Sequence, residues 1–158
     1  ITVFLYKDDA QGKQLTGASL DFADPQNRRV HQRWNSFIGH EMVHVIAHNT
    51  LQYGQTGVLG EGIAVWLNGQ FHSHHGEAKK LLAEGKLPTV KDLLERFREV
   101  ENNYPAAGSF CGFLLETFGL ETFKELYPSS EPSVKLKALE GQSFEELEGA
   151  WHDHLQKF

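Results

Sequence analysis

Residues 38–48 read IGHEMVHVIAH, three histidines and one glutamate in a run that is otherwise apolar or glycine. Trp34, Ile38, Met42 and Val45 recur every three to four residues. This spacing predicts a helix from about Asn27 that ends near Asn49 and Thr50. His40, Glu41 and His44 spell H-E-x-x-H along it. Positions i and i+4 stand one above the other on a single helix face. Two imidazoles so placed can reach one zinc ion, with Zn–N distances of ~2.0–2.1 Å. Glu41 is rotated about 100° round the helix and is placed to act as general base toward a metal-bound water.

Catalytic zinc usually keeps three protein ligands and one open position, and two histidines with a glutamate form a known set. Glu61 is the candidate third ligand. It opens a predicted short apolar helix, EGIAVWLNG (61–69), after a glycine-punctuated loop, LQYGQTGVLG (51–60). Gly60 and Gly62 flank it and would permit close helix–helix approach. The longer pattern with a third histidine is absent, because Ala47 and Thr50 stand at its glycine and histidine positions.

Outward from this core, ITVFLY (1–6) is β-branched and aromatic and predicts a strand. KDDAQGKQLTG (7–17) is polar with two glycines and reads as a turn or loop. ASLDFAD (18–24) alternates weakly and predicts a second short strand, stopped by Pro25. QFHSHHG (70–76) reads as a solvated loop. In it His72, His74 and His75 form a short histidine tract of the kind that binds metals opportunistically. EAKKLLAEG is a short helix with a glycine stop. Thr89 is a plausible N-cap for LPTVKDLLERFREV (87–100), with Asp92 three residues on. YPAAGSFCGFLLETFG (104–119) predicts an apolar helix ended by Gly119, and LETFKELYPSS continues helically to Pro128. Ser143 and Glu146 form a capping box, ahead of a stripe of Phe144, Leu147, Trp151 and Leu155. The predicted fold class is α+β, mostly helical, with a short N-terminal sheet followed by five to seven helices.

The 158 residues amount to one domain, with 40% hydrophobic and 23% charged residues. A net charge of −6 without basic clusters argues against nucleic acid as a partner. No apolar run approaches a membrane span. Cys111 is the only cysteine, so no intrachain disulfide forms, and its apolar helix makes it a small buried hydrophobe rather than a nucleophile. Trp34, Trp66 and Trp151 read as core or core-edge residues. The chain starts at Ile1 inside a strand-like stretch and reads as a piece of a longer product.

H-E-x-x-H with a downstream EGIA helix resembles the gluzincin zinc metallopeptidases. The likeness is closest to the thermolysin-like and aminopeptidase-N-like branch, in its small peptidase MA-like domains. The resemblance covers about 17–155, including the tyrosine-led helix from Tyr104 and the C-terminal helix at 141–155. It implies a zincin-like catalytic domain over 1–158, with a strand region at 1–24, zinc-binding helices at 27–70 and a helical part at 77–158. It also implies Zn2+ held by His40, His44 and Glu61, peptide-bond hydrolysis with Glu41 as base, and a peptide or protein substrate. Tyr104 matches the family tyrosine that hydrogen-bonds the oxyanion, with Ala107 standing where the family has glycine. The stretch GASLDF (17–22) matches the edge strand that pairs with substrate backbone. The family's habits point to a secreted or bacterial-envelope location.

Two departures matter. Leu20 replaces the glutamate with which aminopeptidases hold a free amine, so an endopeptidase is favoured. Val65 replaces the aspartate that orients a zinc histidine in thermolysin. His48, one turn beyond His44, reads as a supporting or exposed histidine rather than a ligand. Two alternatives stay open: a zinc-bearing pseudo-enzyme or peptide-binding module without hydrolytic activity, and a helical domain without metal.

Overall fold

A computed structural model describes residues 1–19, 21–36, 39–52, 56–68, 73–141 and 143–158, with the side chains of 137–140 left aside. The architecture is α+β and mostly helical. Strand β1 (Thr2–Tyr6) leads into helix α1 (Asp9–Thr16), followed by strands β2 (Phe22–Asp24) and β3 (Arg29–Arg33). The sheet order is β1-β3-β2, with β1 parallel and β2 antiparallel to the central β3. Helices α2 (Gly39–Leu51), α3 (Gly57–Leu67), α4 (His74–Ala83) and α5 (Val90–Arg96) come next. A 3-10 turn (Phe97–Glu99) then leads to α6 (Asn103–Leu126), α7 (Pro132–Glu140) and α8 (Phe144–Leu155). Eight helices lie among the described residues, one more than the upper end of the expectation.

Several expectations need correcting. Residues 9–16, expected in a loop, form α1. Asp8 caps it by accepting from Gln11 N at 2.9 Å, and Gly17 ends it in the left-handed region at φ 82°. Gly12, which looks like a breaker, lies under the Tyr6 ring, so the helix packs close against the sheet. The stretch from Asn27, expected to begin the histidine helix, instead supplies β3, and α2 starts only at Gly39. Val30 and Gln32 point inward from β3, and the buried Gln32 amide donates to Ser36 O at 3.0 Å. A polar residue therefore occupies a core position of this strand, which hides the alternation. Trp34 follows β3 on the surface, 67% exposed rather than in the core.

The ring of His31 is stacked between Phe4 and Phe22, at 4.8 and 4.5 Å between centroids. These residues face one another across β1, β3 and β2, so a ladder of three rings fixes the register of the sheet.

The core lies between α3, α6 and α8. Helix α3 is apolar nearly all round, with six of its residues buried, and its most extensive packing is against α6. A Cβ at Gly62 would sit 2.5 Å from Cys111 Sγ and 2.6 Å from Ala107 O; one at Gly108 would meet Val65 at 2.5 Å. Close approach at Gly62 is therefore made with α6, whereas a Cβ at Gly60 meets nothing within 4 Å. Gly119 breaks the helical path at φ 82°, where a stop is expected, and the chain resumes as helix to Leu126. The Thr89 cap and the Ser143–Glu146 capping box are both present. Trp151 is fully buried and donates from Nε1 to Ser109 Oγ at 3.1 Å.

Candidate metal centre

Helix α2 carries His40, Glu41 and His44, and α3 lies beside it with Glu61 in its second turn. The loop between them ends earlier than expected, so Glu61 does not open its helix. One full turn of α3 precedes it, and Gly60 N bonds Thr56 O at 3.0 Å there.

Three atoms converge. His40 Nε2 lies 3.1 Å from Glu61 Oε2, His44 Nε2 lies 3.4 Å from the same oxygen, and the two ring nitrogens are 3.1 Å apart. Tetrahedral ligands with bonds of ~2.0–2.1 Å stand about 3.3–3.4 Å from one another. The triangle matches that spacing to within a few tenths of an ångström, and its two imidazoles and one carboxylate are the donor types that zinc takes. Burial disfavours charge on Glu61, but hydrogen bonds with His40 and His44 outweigh it and bring the carboxyl down to about 2. Burial likewise opposes charge on His44, yet the Glu61 hydrogen bond and the Glu61 and Glu41 charges raise its pKa.

Glu41 lines the same cleft, which has a volume of about 550 Å³. Burial pushes its carboxyl above the usual carboxylate range. The nearby imidazoles of His44 and His40 lower it, and Glu61 and Asp21 raise it further. A carboxylate with raised basicity beside a group of potential metal ligands is suited to accept a proton. Tyr104, in the first turn of α6, reaches the cleft from the other side, with its ring 6.5 Å from that of His40. It is 46% exposed and is not a core tyrosine. Burial and the negative charge of Glu61 raise its pKa, which keeps the phenol a hydrogen-bond donor at neutral pH. His48 lines the cleft one turn beyond His44.

The sheet forms one wall. β2 is its terminal strand, and Phe22 and Ala23 line the cleft. The expected edge strand at 17–22 is displaced toward the C-terminus and overlaps β2 only at Phe22. Leu20, Ile38 and His72 lie outside the described residues. Sequence reading missed Asp21 and Arg33: Asp21 Oδ1 accepts from Arg33 N at 2.9 Å, and the guanidinium donates to both carboxylate oxygens at 3.3 Å. The pair pins the approach to β2 onto β3 and places a second negative charge near Glu41. Nothing local signals it, since the two residues meet only once the strands pair.

Val65 is buried against Gly108, where an ionised carboxylate would lose its hydration. His74 and His75, expected in a solvated loop, lie in the first turn of α4 and are buried. Ser73 caps that helix by accepting from Gly76 N at 2.9 Å.

No family model, no curated protein and no solved structure matches this chain.

Proposed function

We propose that the chain is a zinc-dependent peptide hydrolase of the gluzincin type with a zincin-like catalytic domain, acting as an endopeptidase. The observation that carries this reading is the triangle of His40, His44 and Glu61 ligand atoms with Glu41 in the same cleft. His40, His44 and Glu61 would hold a zinc ion, which would supply Lewis acidity toward a water and a carbonyl. Glu41 takes the proton from the attacking water and returns it to the leaving amine. Tyr104 donates its phenolic proton in a hydrogen bond to the developing oxyanion. An extended peptide adds to the free edge of β2, beside Phe22 and Ala23, and its backbone rather than its side chains sets the alignment. The preference for an endopeptidase rests on the sequence alone, with Leu20 in place of an amine-holding glutamate.

The test is cleavage of an unfolded protein substrate by the purified chain, with and without chelator, alongside Glu41→Gln. Hydrolysis that chelator stops and zinc restores is expected. Glu41→Gln should retain the metal and lose at least ~10²-fold in rate. Stoichiometric zinc and peptide binding without cleavage would convert the reading into a binding module. No cleavage and no zinc uptake would leave a helical domain without metal.

A further inference from the structure

A second group of metal-ligating side chains stands on other elements. His75 lies in the first turn of α4, Glu116 on α6 and His154 near the end of α8. Their ligand atoms all fall within 4.8 Å of one another. His154 Nε2 is 2.8 Å from Glu116 Oε2, and His75 Nε2 is 3.3 Å from the same oxygen. Glu116 is twelve positions from Tyr104 on α6, about 18 Å along the helix axis at ~1.5 Å per residue, so the group is distinct from the cleft.

Two features set it apart from an ordinary polar cluster. The first is an unsatisfied atom. His75 is 2% exposed, its Nδ1 pairs with Ser109 Oγ at 2.9 Å, and its buried Nε2 has no hydrogen-bond partner. A buried nitrogen without a hydrogen bond is costly, and here a carboxylate oxygen stands 3.3 Å away, with a second imidazole beside it. The second is its surroundings. Ser109 Oγ is itself held by Trp151 Nε1, which fixes the His75 ring from behind, in the way outer partners orient metal-bound histidines. The rings of Trp66 and Phe113 lie 4.9 and 5.4 Å from those of His75 and His154, so the imidazoles sit among apolar rings. Glu116 keeps 40% of its side chain exposed, which leaves water a route to an open coordination position.

We propose that His75, Glu116 and His154 form a second transition-metal site of the zinc class, which ties α4, α6 and α8 together. Two imidazole nitrogens and one carboxylate oxygen favour zinc or its neighbours over calcium or magnesium, which take all-oxygen sets. The role is structural. Three helices distant in sequence are clamped at one point, and the binding free energy adds to that of folding. This site uses none of the cleft residues and stands whether or not the chain hydrolyses peptides.

The experiment is Co2+ titration of the metal-stripped full chain, read by visible absorption and by bound metal per chain. The set comprises the unaltered protein, E116Q, H154Q and H40Q/H44Q. The unaltered chain takes up one equivalent more than E116Q and H154Q, whatever the cleft contributes. H40Q/H44Q keeps one equivalent and still gains thermal stability from Co2+. Glu116 is partly exposed and glutamine preserves its shape, so E116Q retains the far-ultraviolet circular dichroism of the parent. Equal uptake by the unaltered chain, E116Q and H154Q overturns the proposal, as does absence of uptake by folded H40Q/H44Q. Failure of the cleft site alone leaves the E116Q difference intact.

Discussion

Glu61 and Tyr104 show how a single side chain can be chosen by its type yet defined by its neighbours. A glutamate seventeen positions past His44 is a reasonable ligand candidate on paper. Its carboxyl near 2 comes from two imidazoles that arrive on another helix. Tyr104→Phe removes one hydroxyl that touches neither His40 nor Glu61 as a ligand. It is expected to leave metal content unchanged and lower the hydrolytic rate by ~10²–10³-fold, read from initial rates beside metal analysis. Asp21 is the residue with a pH signature. Burial opposes its charge, but hydrogen bonds from the Arg33 side chain, Ser36 and the Arg33 backbone outweigh it, so its folded pKa lies below the ordinary value. Its contribution to stability is therefore present above the ordinary aspartate range and is lost as pH falls through the folded value. Asp21→Asn should cost roughly 1–2 kcal/mol at pH 7, and the gap between the two urea midpoints should close in strong acid. A gap that persisted unchanged into acid would mean the charge is not what matters. Cys111, fully buried with its thiol pushed up by burial, should resist an aromatic disulfide reagent in the native state and release one equivalent in denaturant.

Elements were legible where hydrophobic period and caps agree. The α8 stripe with its capping box and the Gly119 stop of α6 could be read directly because their signals are local. α1 and β3 could not. Gly12 interrupts the helical pattern of α1 but lies against the Tyr6 ring, and β3 presents Gln32 to the interior where a strand normally places an apolar residue. At α3 the decisive feature is Gly62, the glycine that follows Glu61. Gly62→Ala would drive a methyl into Ala107 O and Cys111 Sγ, so a loss of about 1–3 kcal/mol is expected, with weaker metal binding as α3 is displaced. Gly60→Ala meets only open space in a helix and should stabilise by ~0.5–1 kcal/mol. Thermal unfolding and zinc competition on both variants check this. Equal effects from the two alanines would contradict the α3–α6 contact.

At the scale of the whole molecule, the sheet supplies one wall of the cleft, α2 and α3 the floor, and the head of α6 the opposite wall. No helix among the described residues is long and apolar enough to cross a membrane. The second histidine–glutamate group sits across α4, α6 and α8, on helices that do not carry the first three ligands. Metal bound at either place would couple to global unfolding. Zinc at a hundredfold excess over its Kd adds about 2.7 kcal/mol per site, roughly 5–10 °C in Tm for a chain of this size. A melting curve that chelator leaves unmoved would remove both sites together. The order of residues sets which side-chain types are available and how those on one helix are spaced: His40 over His44, Glu41 beside them, a tyrosine at the head of an apolar helix. Helical geometry is local, so a five-residue spacing is enough to read it. Three-dimensional packing alone brings Glu61 to both imidazoles, sets Asp21, Phe22 and Ala23 along the cleft, and buries His75 beside Glu116 and His154. Those outcomes depend on which surfaces pack together. Packing is set by the shapes of many side chains at once, Gly62 against Ala107 and Gly108 against Val65 among them, and such shapes have no signature along the chain.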